Sequence, residues 1–85
     1  MPEPIADLLH HSPATRAVLS ILRAVEASGC GGLTEPGLEW LLRQRHARST
    51  VRHAVRILVL TGRVVWTGGR VKTRRHGPAK VWRAV

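Results

Sequence analysis

The sequence predicts an α+β domain in which three helices are followed by a C-terminal β-hairpin. Apolar residues recur at helical spacing as far as Gly62, and beyond it the chain is rich in β-branched residues, tryptophan and glycine. At 85 residues the chain is long enough for one domain, and no linker or internal repeat divides it. We therefore expect an N-terminal arm, residues 1–12, and one folded domain, residues 13–85.

The arm has two prolines among its first four residues, which disfavour regular structure there. Ile5, Leu8 and Leu9 follow at the spacing of one amphipathic helical turn. This turn either docks on the core of the domain or meets a second copy of the chain. Residues 1–12 are therefore a candidate homodimer contact.

The first helix is expected to begin at Ser12, whose hydroxyl can accept a hydrogen bond from a first-turn amide, and Pro13 suits the next position. A glycine-rich segment that starts at Gly29 ends this helix. The second helix begins after Thr34, which restarts helical structure. Its buried face is expected to comprise Leu38, Leu41 and Leu42, with Trp40 off to one side.

A basic turn, residues 43–47, leads to the third helix, which is predicted to run from about Arg48 to Thr61 and to stop at Gly62. One stripe of this helix is apolar and should face the core. It comprises Val51, Ala54, Val55 and Leu58. The expected packing partners are Ile21, Leu22 and Leu42.

Two strands, residues 63–67 and 80–85, are predicted after Gly62. The segment between them, residues 68–79, contains Gly-Gly, Gly-Pro and four basic residues. This composition predicts a long, charged and mobile loop that is poorly ordered in the free protein. Because Phe and Tyr are absent, the only large side chains available to fill the core are Trp40, Trp66 and Trp82.

The charges divide unevenly along the chain, whose net charge is +9. All five acidic residues lie within residues 1–42, together with only two of the 14 basic residues, so residues 43–85 hold the other 12 and no acid. Ten of those 12 are arginine, as a GC-rich genome would favour, but that bias does not explain the missing acids. Half of a chain that carries many basic residues and no acidic ones indicates a polyanionic partner.

The third helix carries polar and basic residues opposite its apolar stripe. With Val51 at zero on a helical wheel, Ser49, Arg52, His53 and Arg56 fall between roughly 100° and 200°. Arginine can pair with guanine O6 and N7, and serine can reach phosphates or bases. An ordinary amphipathic surface helix would show the same pattern, but neither this face nor the adjoining hairpin sequence carries an acid, which favours a DNA-binding face.

The stretch Ser49-Thr50-Val51, followed by Val55, Leu58, Gly62 and Val64, resembles the recognition helix and first wing strand of winged helix-turn-helix DNA-binding domains. The resemblance covers residues 13–85, with Leu33 in the place of the family's short first strand. It implies that the third helix lies in the major groove while the hairpin, or wing, touches the backbone or minor groove. The implied helix contacts are Arg48, Ser49, Thr50, Arg52, His53 and Arg56. The implied wing contacts are Arg70, Lys72, Arg74 and Arg75.

Two features depart from the family pattern. The turn before the third helix is longer than usual and lacks glycine, and Ala47 occupies the cap position where the family often has serine. The start of the third helix therefore stays open, and so does the choice between Arg45 and Arg48 as the residue that faces bases. The wing is also longer than a minimal one.

The sequence predicts no metal, cofactor, small-molecule or catalytic site. His10-His11, the other histidines and Cys30 show no ligand spacing, and a single cysteine forms no internal disulfide. The basic half offers no carboxylate for hydrolysis, and the Gly-Gly pairs lack the strand-to-helix setting of a phosphate loop. Without an apolar run long enough to cross a bilayer or a secretory signal pattern, we expect a soluble cytoplasmic protein, associated with the nucleoid if the source is bacterial.

Three interpretations of function remain open. The first is a sequence-specific transcriptional regulator that binds double-stranded DNA; its small size and lack of a ligand pocket suggest, by association, a phage or plasmid regulator. The second is a non-specific structural protein that binds DNA or RNA, which a pI near 11.9 also fits. The third is a protein-interaction domain whose basic face meets an acidic partner.

Overall fold

A computed structural model of the chain describes residues 12–73 and 77–85 and confirms an α+β architecture over them. Within these residues there are three helices and one three-stranded antiparallel sheet, in which the central strand is the last one along the chain. The elements are α1 (Pro13–Ala27), β1 (Leu33–Thr34), α2 (Glu35–Leu41), α3 (Arg48–Leu60), β2 (Val64–Thr73) and β3 (Gly77–Ala84). The predicted arm lies outside the described residues except for Ser12.

The predicted starts of α1 and α2 are confirmed, and the structure places the start of α3, which the sequence left open, at Arg48. The Ser12 hydroxyl accepts from the Thr15 amide at 3.2 Å, and the Thr34 hydroxyl accepts from the Gly37 amide at 3.1 Å. These bonds cap α1 and α2, because each satisfies an amide that the helix itself leaves unpaired. Helix α3 begins after Ala47, whose backbone is extended and whose side chain supplies no capping bond.

The core lies where α1, α2 and α3 pack together over the sheet. Val51 and Leu58 of α3 are fully buried and Val55 is 2% exposed, in one cluster with Leu22 and Leu42. Ile21 is partly buried against the same cluster. The predicted inward stripe of α3 and its packing partners are therefore confirmed. Val64 of β2 and Ala84 of β3 close the core from the sheet side.

The sheet has the order β1-β3-β2, so β3 pairs on both of its edges. On one edge Leu33 lies opposite Trp82, which confirms a short strand at Leu33. On the other edge Val64 lies opposite Ala84, and Trp66 lies opposite Trp82. This pairing joins the hairpin to the segment before α2, so the hairpin and the helices form one framework.

The prediction of an unpaired loop over residues 68–79 is wrong where the structure describes it. After an irregularity between Trp66 and Arg70 the strands pair again, and Arg70 lies opposite Lys80. Gly68 takes a φ of +89°, and the Trp66 indole N–H donates to the Gly69 carbonyl at 2.8 Å. The two glycines thus form a β-bulge rather than the start of a loop. Residues 74–76 lie outside the described residues.

Two predictions about the core are also wrong. Trp66 is 41% exposed, and Trp40, predicted to lie off to one side, is 62% exposed. Of the three tryptophans only Trp82 packs against the core, half-buried, and aliphatic residues fill the rest. Cations cover the exposed indoles: the Arg43 guanidinium lies 3.6 Å from the Trp40 ring centre. Leu41, predicted to be buried, is 54% exposed, whereas Leu38, Glu39 and the following Leu42 are buried.

Candidate nucleic-acid interface

Helix α3 presents a polar and basic side to solvent, opposite the stripe that packs in the core. The side chains on this side are all exposed, and they are the helix residues predicted from the sequence. They are Arg48, Ser49, Thr50, Arg52, His53 and Arg56. Arg45, in the turn before α3, is exposed as well.

These exposed residues fall into two rows. Arg48, Arg52 and Arg56 are spaced four residues apart, so they follow one line along α3. Thr50 and His53 lie on the other flank, where they line a recess against the start of α1. The predicted helix contacts are therefore divided between an arginine row and a Thr50/His53 flank.

The hairpin carries a second basic surface. Because side chains alternate along β3, residues 80 and 82 lie on the same face as Ala84, which points into the core. Their partners across the ladder, Arg70 and Trp66, share that face. Lys72 lies further out on it, opposite Pro78. The face of the hairpin that continues from the core is therefore basic and aromatic.

Trp66 organises the cations on this face of the hairpin. The Lys80 ammonium lies 4.9 Å from the centre of its ring, and the Arg70 guanidinium lies 5.1 Å from it. A cation within about 6 Å of an indole centre is attracted by the ring quadrupole. The bulge that holds the Trp66 indole N–H therefore fixes the ring around which two positive charges gather.

A groove runs between the start of α2, the arginine row and the hairpin. Arg52 of α3 and Lys80 of β3 line it together with Trp82, so the helix surface and the hairpin surface border one groove. Glu35 and Glu39 of α2 line the same groove. One predicted helix base, Arg52, and one hairpin base, Lys80, thus lie on two sides of a shared concavity.

The expectation that this basic region would be free of acids is wrong, because Glu35 and Glu39 line the groove and Glu35 pairs with a base of α3. The Arg52 Nε donates to Glu35 Oε1 at 3.0 Å, although the two residues are 17 positions apart. Glu35 belongs to the acidic half of the chain and reaches α3 because α2 begins beside it. The charge division along the sequence therefore did not predict the charges that share the groove.

Sequence reasoning missed Lys80 of the hairpin and both acids of α2, Glu35 and Glu39, at this interface. Lys80 stands two residues before Trp82 in a predicted strand, so period-two alternation was a signal that would place it on the same face. No local pattern indicates that Glu35 pairs with Arg52, because that contact depends on how two helices pack. Arg74 and Arg75, the remaining predicted wing contacts, lie outside the described residues.

Two further features concern residues 12–73 and 77–85, the part of the chain that the structure describes. No group of three or more His, Cys, Asp or Glu side chains comes together there as a metal site requires. Over the same residues no helix combines the length and the apolar character of a membrane span. Comparison of the chain with protein-family models, curated proteins and solved structures found no match.

Proposed function

We propose that this chain is a winged-helix DNA-binding protein that regulates transcription. In this proposal α3 enters the major groove of duplex DNA, and the hairpin acts as a wing on the backbone or in the minor groove. The element order helix, short strand, helix, helix, hairpin supports it, as does the sheet order β1-β3-β2. The element order agrees with the layout that the sequence resemblance implies, and the sheet order is compatible with it.

The observation that carries the proposal is the arginine row of α3 beside the basic face of the hairpin. Arg48, Arg52 and Arg56 are exposed on an element rigidly packed by its opposite stripe. A rigid helix suits base recognition, since a bidentate arginine–guanine pair requires a fixed geometry. Arg70 and Lys72 on the hairpin suit phosphates, which require charge but no base-specific geometry.

Selection from a pool of random duplex DNA tests the proposal. A sequence-specific regulator enriches one motif, and its affinity for that motif exceeds its non-specific affinity by a factor on the order of 10³ or more. Weak, salt-sensitive binding to every sequence would instead support a structural nucleic-acid-binding protein. Absence of binding to DNA and RNA at low salt would overturn both.

A protein partner is the second candidate, and one observation favours it. Leu60, in the last turn of α3, is 79% exposed on the same side as Arg56. Together with Val59 and Trp82 it lines a small, mainly apolar recess, which is bordered by Glu35 as well as by Arg52 and Arg56. An acidic, apolar protein segment would match that surface. Loss of such a complex on Leu60→Glu, with DNA binding absent in the wild type, would favour this candidate.

A further inference from the structure

The bond between Glu35 and Arg52 uses a specific edge of the guanidinium. It is Nε that donates to the carboxylate, at 3.0 Å. A guanidinium has five N–H donors, one on Nε and two on each Nη. The contact therefore occupies the inner edge of the group and leaves the two Nη groups at its outer end. Two Nη groups are what an end-on bidentate pair with guanine O6 and N7 requires.

We infer that Glu35 is a specificity-determining positioning residue that holds Arg52 ready to read a guanine. The inference rests on the proposed function and deepens it. A long arginine side chain on a helix surface samples many rotamers, and binding must immobilise it. A carboxylate supplied by a neighbouring helix fixes the rotamer before the DNA arrives, which lowers the ordering cost of the specific complex.

The placement of Glu35 supports a positioning role. It is the first residue of α2, immediately after Thr34, whose hydroxyl caps that helix. The cap and the pairing of Thr34 with Val81 of β3 tie the start of α2 to the sheet. The Glu35 side chain is 29% exposed and that of Arg52 is 58% exposed, so the carboxylate is the more enclosed partner and the guanidinium the more accessible one.

A carboxylate at a DNA-binding surface also repels phosphate, so Glu35 has two separable effects. Its charge lowers affinity for every duplex, whereas its hydrogen bond to Arg52 favours only the duplex with a guanine in the right place. Glu35→Gln removes the charge but keeps a carbonyl oxygen that can accept from Nε. Glu35→Ala removes both. The pair of variants separates charge from orientation.

The experiment measures affinity for the selected duplex and for the same duplex with the guanine read by Arg52 replaced. Arg52→Ala identifies that guanine. Both Glu35 variants should raise affinity for the duplex that lacks the guanine, and Glu35→Gln should raise affinity for the selected duplex by a similar factor. Glu35→Ala alone should lower the ratio of the two affinities, by about two- to tenfold, which is the ordering cost of one side chain. Glu35→Gln should leave the ratio near the wild-type value. Glu26→Gln, an exposed acid on α1, controls for loss of one negative charge.

A double-mutant comparison completes the test, with Arg56 as the matched control one turn further along α3. In an Arg52→Ala background Glu35→Ala should no longer change discrimination, whereas in an Arg56→Ala background it should still lower it. An unchanged ratio in Glu35→Ala would overturn the inference while leaving DNA binding intact. A raised ratio would show that Glu35 withholds Arg52 from the DNA and would overturn it as well. If the wild type discriminates among no duplexes, the inference fails together with the proposed function.

Discussion

At the scale of single residues, Gly32 shows how close packing of backbone limits the sequence. Its φ is +130°, and a Cβ added there would collide with the Trp82 carbonyl oxygen and approach Val81 Cγ1 to 3.0 Å. Backbone of the β1 region therefore lies directly against β3, with no room for a side chain. The segment just before β1 depends on this glycine to reach the sheet.

We expect Gly32→Ala to lower the free energy of unfolding by more than about 1 kcal/mol, since alanine is strained at that φ and the neighbouring atoms are backbone. Gly31→Ala is the matched control, because the space around a Cβ at Gly31 is open. It should be neutral or slightly stabilising. Urea denaturation of the two variants measures the difference. Equal stability would contradict the close approach of this segment to β3.

At the scale of elements, the helices were predictable because their signals are local. The Ser12 cap of α1, the glycines that follow α1 and α3, and the buried stripe of α3 are all local signals, and each was read correctly. The exposure of Leu41 was not predictable, because it depends on how many turns of α2 the neighbouring elements cover. The strand pairing beyond the bulge was not predicted for a related reason. A segment rich in glycine and charged residues predicts a loop, and the pairing depends on contacts between two strands that no local pattern shows.

In the candidate site, too, the features set by local sequence were predicted and those that depend on contacts between elements were not. The exposed residues of α3 were predicted, since a helical wheel that places Val51 on the buried side of the helix places Arg52 on the exposed side. The contact of Arg52 with Glu35 was not, because it joins residues from two helices whose angle no local pattern fixes. Likewise, the ring of Trp66 gathers Arg70 and Lys80 only after the bulge restores pairing.

Helix α3 begins without a side-chain cap, so a capping residue introduced there should stabilise the domain. Ala47 has the extended backbone of an N-cap residue, with φ −65° and ψ 153°. Ala47→Ser should therefore stabilise the domain by about 1 kcal/mol, because a serine hydroxyl can accept from an unpaired amide of the first turn. Ser12→Ala, which removes the cap of α1, should change stability by a similar amount in the opposite direction. Thermal unfolding of both variants checks the pair, and no gain from Ala47→Ser would mean that the amides at the start of α3 are already satisfied.

At the scale of the whole molecule, folding rearranges the charges that the sequence separates. Residues 43–85 supply the bases of α3 and the hairpin, whereas α2 contributes Glu35 and Glu39 to the groove between them. The net charge of +9 still favours attraction to a polyanion, and that attraction acts over about a Debye length. Affinity is thus a property of the whole molecule, while discrimination depends on a few side chains held in fixed positions.

Because affinity and discrimination depend on different features, we predict different roles for α3 and the hairpin. Arg52→Ala should cost about 1–3 kcal/mol on the selected duplex and relax specificity at one base pair. The double change of Arg70 and Lys72 to Ala should instead weaken binding to all sequences alike. It should also lower the slope of log affinity against log salt by about 2, because each phosphate contact contributes close to 0.9.

The measurement compares these two variants with the wild type on matched and mismatched duplexes at several salt concentrations. Arg23→Ala, an exposed cation on α1, controls for the loss of positive charge away from the groove and should change neither the slope nor the discrimination. Thermal unfolding of the hairpin variant checks the sheet, since Arg70 also contacts the Trp66 ring. If the hairpin variant loses discrimination while Arg52→Ala loses only affinity, the roles are reversed. If neither variant changes binding, the basic half of the chain faces a partner other than DNA.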